Sequence, residues 1–284
     1  MTAPNTVAGG NSIAELTRTI VESKLELPPL PELALRVRTM LSDENVDTKQ
    51  VALLIGTDPA ITSTLLRRAN SVTFGGLSEI TQITHAVARL GLKQVESLVT
   101  TMALKKTFEV ADPDKQECLR ALWDHSLIVG IGAKLIAHRG GRDPESIFLA
   151  GLLHDIGRLV VLKGIDDLQK SRKIEVTHVV LEELMEVMHC ELGHQALVAW
   201  NLPEELSRVA MHHEDTPEDA DDFPLLAVQA ADSISCKLGF HPTPDPDLVL
   251  LEEPAIELLN LGDIELAMLM VDLEDEFDSL RALL

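Results

Sequence analysis

The sequence predicts an all-α protein built from two helical subdomains, and three observations carry that expectation. Apolar residues recur at three- and four-residue spacing through most of the chain, with no sustained strand alternation. The punctuation between these runs is that of helices, with Ser or Asp ahead of a proline or an apolar stretch and paired glycines behind it. Aromatic residues make up 3% of the chain and tyrosine is absent, so Leu, Ile, Val and Ala must fill the core, a palette suited to helix-on-helix packing.

Each element follows from local signals. Residues 1–11 are polar and are expected to be disordered. Ser12 with Glu15 forms a capping box for a first helix carrying Ile13, Leu16, Ile20 and Leu27, which Pro28, Pro29 and Pro31 end. A second helix carries Leu33, Val37, Met40 and Leu41, and a third carries Val51, Leu54 and Ile55. Asp58-Pro59 restarts the pattern as N-cap and first turn, and Gly75-Gly76 closes it. Two helices flank Gly91, from Thr81 to Leu90 and from Leu92 to Phe108. The polar stretch from Val110 to Lys115 reads as a joint, dividing an N-terminal subdomain (12–112) from a second one (113–240). There a long helix runs from about Gln116 to His138, and Asp143-Pro144 opens another that continues to about Lys163. Further helices are expected over Val179 to His189, Leu192 to Trp200, Pro203 to His213 and Pro224 to Leu238. Residues 241–284 form a C-terminal amphipathic extension whose last helix sets Ile264, Leu269, Val271, Leu273, Phe277 and Leu280 among acidic residues, to pack on the body or to meet a partner.

The formal net charge of -22 argues against nucleic acid and anionic membranes as partners, since both present phosphate. No run of about 18 apolar residues is present to span a bilayer. Three scattered cysteines, Cys118, Cys190 and Cys236, fit a reducing cytoplasm, and no apolar leader is visible.

The chemistry concentrates in the second subdomain. His125, the dipeptide His154-Asp155, His194, His212, His213 and Asp232 lie more than a hundred residues apart at their extremes, so only a bundle brings them together. Imidazoles with carboxylates suit a divalent Mn, Fe or Zn, as one ion or two. His154-Asp155 is the strongest signal, because its apolar flanks (Gly151 to Leu153, then Ile156) make both groups costly unless satisfied. Asp232, after Ala227, Val228, Ala230 and Ala231, makes the same case. Plainer readings stand beside these. A core histidine bonded to a carbonyl explains His125 equally well, and a helix C-terminus favours a cation at His212 and His213. His85, His138, His178 and His241 read as surface or boundary residues, and His189 beside Cys190 as two neighbouring donors that alone are weak evidence of a metal pair.

On these residues the second subdomain resembles the HD superfamily of metal-dependent phosphohydrolases, whose His, His-Asp, Asp order matches His125, His154-Asp155 and Asp232. HDIG followed by His194 and by His212-His213 is similar to the HD-GYP cyclic-di-GMP phosphodiesterases. Arg158 stands where those enzymes carry lysine, however, and no Gly-Tyr-Pro follows His213. The N-terminal half instead resembles the HDOD family, HD-related output domains. LPPLPEL (27–33), DPAITSTLLRRANSVTFG (58–75), ITQITHAVARLGLKQVESLV (80–99) and GHQALVAWNLPEEL (193–206) carry that likeness over about residues 22–240. The resemblance implies an HD-type bundle with an N-terminal helical subdomain. It implies a bacterial signal-transduction module, non-catalytic, acting on a signalling protein and holding a divalent metal at His125, His154, Asp155, His194, His212, His213 and Asp232. The alternative it implies is a metal-dependent phosphohydrolase acting on a nucleotide or cyclic dinucleotide, with Asp155 and Arg158 as candidate catalytic residues.

Overall fold

The structure, a computed structural model, describes Thr17 and residues 29–284 apart from 44–45, 72–73, 75–77, 111, 173–175 and 218, with the backbone alone at 114 and 170–172. The expected disordered start, the Ser12–Glu15 box and first helix, the break at Pro28 and the Gly75-Gly76 stop lie outside the described residues. Within them the protein is all-α, with no strand, and no helix is long and apolar enough to cross a membrane.

Helices α1 (Glu32–Leu41), α2 (Thr48–Ile55), α3 (Pro59–Ala69), α4 (Ile83–Leu90) and α5 (Leu92–Lys105) form the N-terminal layer, closed by a short 3-10 turn at Lys106–Phe108. Their starts are where the capping residues put them. Asp47 accepts the Lys49 amide, and Asp58 accepts those of Ala60 and Ile61 at 2.9 and 3.1 Å with Pro59 in the first turn. Gly91 separates α4 from α5 at φ 82°, a left-handed angle that suits glycine.

The second layer is built on α6 (Pro113–Arg139), which starts three residues before the expected Gln116. Proline at the first helical position costs no hydrogen bond, so the joint and the helix start coincide. α7 (Pro144–Leu153) and α8 (Ile156–Arg172) replace the single helix expected from Asp143 onward. The chain breaks at His154-Asp155: the His154 ring bonds the Gly151 carbonyl, and the Arg158 amide bonds the Asp155 carbonyl. In the opposite sense, α9 (His178–Ala199) is one continuous helix where two were expected. Its Gly193 packs against Gly157 of α8 rather than ending a helix. α10 (Glu204–His212) and α11 (Phe223–Leu238) complete the bundle.

Two close crossings set the positions of the side chains that matter. A β-carbon on Gly151 of α7 would lie 2.8 Å from the Gly130 Cα on α6. A β-carbon on Gly157 would overlap the His189 carbonyl of α9. Any larger residue at either place would hold the helices apart.

The C-terminal residues pack back on this body. After a 3-10 turn (Leu250–Glu252) and α12 (Pro254–Leu258), α13 (Asp263–Leu283) lies on α6 and reaches α3. Leu266, Leu269, Leu273, Phe277 and Leu280 are buried, whereas Ile264 and Val271, read as part of the same apolar face, are exposed. Residues 266, 269, 273, 277 and 280 keep a three-four spacing, and 264 and 271 fall off that stripe.

Candidate metal centre

At the crossing of α6 to α11 the bundle buries a ring of imidazoles around one carboxylate. Asp155 sits in the α7–α8 break, its side chain 2% exposed. Its two oxygens face opposite ways. Oδ1 lies 3.5 Å from His189 Nε2 and 3.4 Å from His213 Nε2. Oδ2 lies 3.5 Å from His125 Nε2 and 3.9 Å from His154 Nε2.

The ring nitrogens are sorted by their outer bonds. His154 Nδ1 meets the Gly151 carbonyl at 2.6 Å, His213 Nδ1 the Ala210 carbonyl at 3.0 Å, and His189 Nδ1 the Met185 and Glu186 carbonyls at 3.0 and 2.9 Å. A carbonyl only accepts, so each Nδ1 carries the hydrogen and, in the neutral ring, each Nε2 turns a lone pair inward. His125 Nδ1 lies 3.3 Å from the Ser235 hydroxyl, which donates to the Asp232 carbonyl and so accepts from the ring. Lone pairs therefore meet at 3.2 Å twice, His125 with His154 and His189 with His213. Two neutral acceptors at that distance repel unless a cation or a proton lies between them.

A divalent ion fits this arrangement. With ligand distances of about 2.0–2.1 Å, tetrahedral neighbours stand about 3.3–3.4 Å apart, close to the 3.2–3.5 Å separations on the His189–His213 side, while on the other side His154 stands 3.9 Å from Oδ2. Asp155 Oδ1 is buried and has no hydrogen-bond donor, an orphan acceptor that a metal would satisfy. His125, His154 and Asp155 form one group of potential ligands, His189, Cys190 and His213 a second, and His125, Asp232 and His241 a third.

Charge follows the same plan. Burial pushes the His125 and His154 rings down to about 4, the neutral, ligating form. Burial would raise the Asp155 carboxyl, but His154, Arg158 and His213 hold it well below the usual carboxylate range. Burial would likewise lower His189, yet its contacts with Cys190, Glu214 and Asp155 push it up to about 10. The Glu214 carboxyl is drawn down to about 2 by its bond with His189, while burial pushes Asp232 up.

Of the residues expected from sequence, His125, His154, Asp155, His213 and Asp232 come together, with His125 Nε2 3.4 Å from Asp232 Oδ1. His194 does not join them. It lies mid-helix on α9, its Nδ1 3.1 Å from the Ser207 carbonyl, where it ties α9 to α10. His212 is exposed and pairs with Asp215 at 2.7 Å, because the next residue, His213, takes the inward face at the end of α10. Arg158 is beside the centre but fully engaged: Nε bonds Asp155 at 2.7 Å, Nη1 bonds Glu186 at 3.1 Å, and Nη2 is 3.9 Å from Glu214.

His189 takes the place given to His194, and helix arithmetic marks it. Met185, Met188, Leu192 and Ala196 are buried, and position 189 lies on their face whereas 194 lies to its side. His241, read as a boundary residue, folds over from the loop after α11, with its ring 5.2 Å from that of His125. Its Nδ1 meets the Thr243 amide at 3.0 Å, and its Nε2 lies 3.9 Å from Asp232 Oδ2. No local signal places His241, since a loop's return is set by packing elsewhere.

The family profile for the HDOD domain matches residues 27–216. The chain belongs to the HDOD family. Among solved structures it is similar to the "Putative metal-dependent phosphohydrolase" of Shewanella amazonensis SB2B, at 24% identity and TM-score 0.73 over 93% of this chain and 97% of that one. It is also similar to an HDOD domain protein of Geobacter sulfurreducens with unknown function, at 26% identity and TM-score 0.70 over 94% and 95% of the two chains. A Treponema pallidum (strain Nichols) protein is 24% identical over 254 residues, which are 86% of this chain and 48% of that protein. The chain therefore spans about half the length of this curated relative.

Proposed function

We propose that this HDOD chain is a bacterial signal-transduction module that holds a divalent ion (Mn, Fe or Zn) in its C-terminal bundle and acts by docking a signalling protein, without turnover. The observation that carries this reading is the arrangement of charge around Asp155. Inside lies a complete set of nitrogen and oxygen donors. Outside, the approach is rimmed by exposed Glu186, Glu214 and Asp215, and the one guanidinium at the centre, Arg158, is already shared among three carboxylates. Apart from the ion itself, a phosphate arriving there meets like charge and no free cationic side chain among the described residues.

His125, His154 and Asp232 would hold an ion on one side of Asp155, and His189 and His213 on the other. A metal at such a centre supplies Lewis acidity and, in hydrolases, an activated water. Here the chain's own residues give it a structural use: the four rings come from α6, the α7–α8 break, α9 and the end of α10. One centre thus fixes the mutual packing of all of them.

A second reading, a metal-dependent phosphohydrolase of nucleotides or cyclic dinucleotides, is favoured by one feature, the carboxylate of Asp155 standing between two imidazole pairs. In that case Asp155 would span two ions and Arg158 would have to leave Glu186 to meet substrate. The test is metal-loaded protein incubated with a chromogenic phosphodiester and with a cyclic dinucleotide. The proposal expects bound metal, a raised melting temperature and no metal-dependent hydrolysis. Hydrolysis that disappears in Asp155→Ala would replace it with the second reading.

A further inference from the structure

The two sides of Asp155 differ in one donor. Around Oδ2 stand the nitrogens of His125 and His154, and the Asp232 carboxylate meets His125 Nε2 at 3.4 Å, so this side offers nitrogen and oxygen. Around Oδ1 stand His189 and His213, and with them the thiol of Cys190, its Sγ 3.3 Å from His189 Nε2. The ligand atoms of His189, Cys190 and His213 all lie within 4.8 Å of one another.

We infer that Cys190 is a metal ligand, so that the His189–His213 side is a thiolate site for a thiophilic ion such as Zn2+ while the His125–His154 side is a harder one. The inference rests on the metal-holding reading above and adds to it the chemical asymmetry of the two sides.

Two independent observations meet at the same point. One is the placement of Cys190. Imidazole and thiolate ligands on one tetrahedral zinc, at about 2.0–2.1 and 2.3 Å, stand about 3.5 Å apart, close to the separation of Sγ from His189 Nε2. The other is Asp155 Oδ1, an acceptor in a side chain 2% exposed that has no donor and is aimed at the same two imidazoles. His189, Cys190 and His213 thus supply two nitrogens and one sulfur, and Asp155 Oδ1 faces the same two nitrogens. Glu214 Oε1, 3.5 Å from His189 Nε2, stands at its solvent edge.

The other cysteines have no such company. Cys236 Sγ bonds the Thr243 carbonyl at 3.4 Å, and neither Cys236 nor Cys118 belongs to a group of potential ligands among the described residues. Binding at Cys190 releases the thiol proton, because the thiolate is the ligand. A soft donor on one side only means that zinc and manganese or iron need not compete for the same place.

The experiment uses the full-length chain, stripped of metal and titrated with Co2+ under reducing conditions, followed by absorption. The inference expects visible ligand-field bands together with a near-ultraviolet sulfur-to-cobalt charge-transfer band. It expects Cys190→Ser to lose the near-ultraviolet band while keeping visible bands from the remaining nitrogen and oxygen donors. Cys118→Ser and Cys236→Ser should keep both. Cobalt bound with visible bands and no near-ultraviolet band, or a near-ultraviolet band that survives Cys190→Ser, overturns the inference and leaves the metal reading standing. No cobalt bound at all overturns the metal reading and this inference together.

Discussion

Among the described residues the N-terminal helices bury one guanidinium, Arg68, and pair it across the molecule through a single nitrogen, its Nε and Nη1 having no hydrogen-bond partner. Its Nη2 bonds Glu276 of α13, and its plane lies 5.1 Å from the Phe74 ring. The other buried polar groups there are hydroxyls, such as Thr101, whose Oγ1 donates to the Ser97 carbonyl at 2.7 Å. The C-terminal bundle instead buries His125, His154, Asp155, Arg158, His189 and His213 in a single contiguous cluster. Burying that many ionisable groups is costly unless they are paired or bind a metal. The first region is built for stability with one ionic tie to the C-terminus. The second spends stability on a site.

The difference can be attacked at the helix crossing that makes the site. Gly157→Ala should cost more than about 3 kcal/mol, since its methyl group falls on the His189 backbone and the helices must part. Thermal unfolding should show the loss, with metal binding lost alongside it.

At the ionic tie, Glu276→Gln leaves Arg68 without its counter-charge and should cost about 2–3 kcal/mol, less than a fully enclosed pair because Glu276 is partly exposed. Metal content should not change, and a chelator titration that gives the wild-type midpoint would show the two regions to be energetically separate.

The pH dependence of the metal-free protein carries the same contrast. His125 and His154 have folded values near 4, so as pH falls below 6.5 the unfolded chain takes up protons that the folded one resists, and stability declines. His189, raised to about 10, contributes stability that is complete below pH 6.5 and is lost as pH rises through about 10. The melting temperature from these three rings should therefore peak near pH 6.5, and His189→Gln should flatten the alkaline side.

The smallest effect belongs to the N-terminal layer. Asp58→Ala removes the cap of α3 and should cost about 1 kcal/mol. The Ile61 amide bond holds the Asp58 carboxyl below its usual range, so the cap's contribution is present at neutral pH and fades as acid protonates it.

How far the sequence reads depends on what sets each feature. Helix starts at Asp58 and Asp143 are local chemistry, and they stand where the residues place them. The break at His154-Asp155 is not local. Apolar residues run through it, and the turn is held by the histidine's own bond to Gly151, a consequence of facing the centre. The same limit separates His189 from His194, five residues apart on one helix. Motif order favours His194, and the buried stripe of α9 favours His189. His241 arrives by a loop whose path depends on Lys237, which bonds the Pro246 and Leu248 carbonyls, and on the packing of α13 beyond it.

The most direct measurement is elemental analysis of metal per chain, on protein purified without chelator or affinity-metal resin, beside Asp155→Ala prepared in the same way. The account predicts roughly one to two equivalents of Mn, Fe or Zn in the wild type and a fall of at least about tenfold in the variant. A folded wild-type protein that carries no metal and takes up none when it is offered would contradict it.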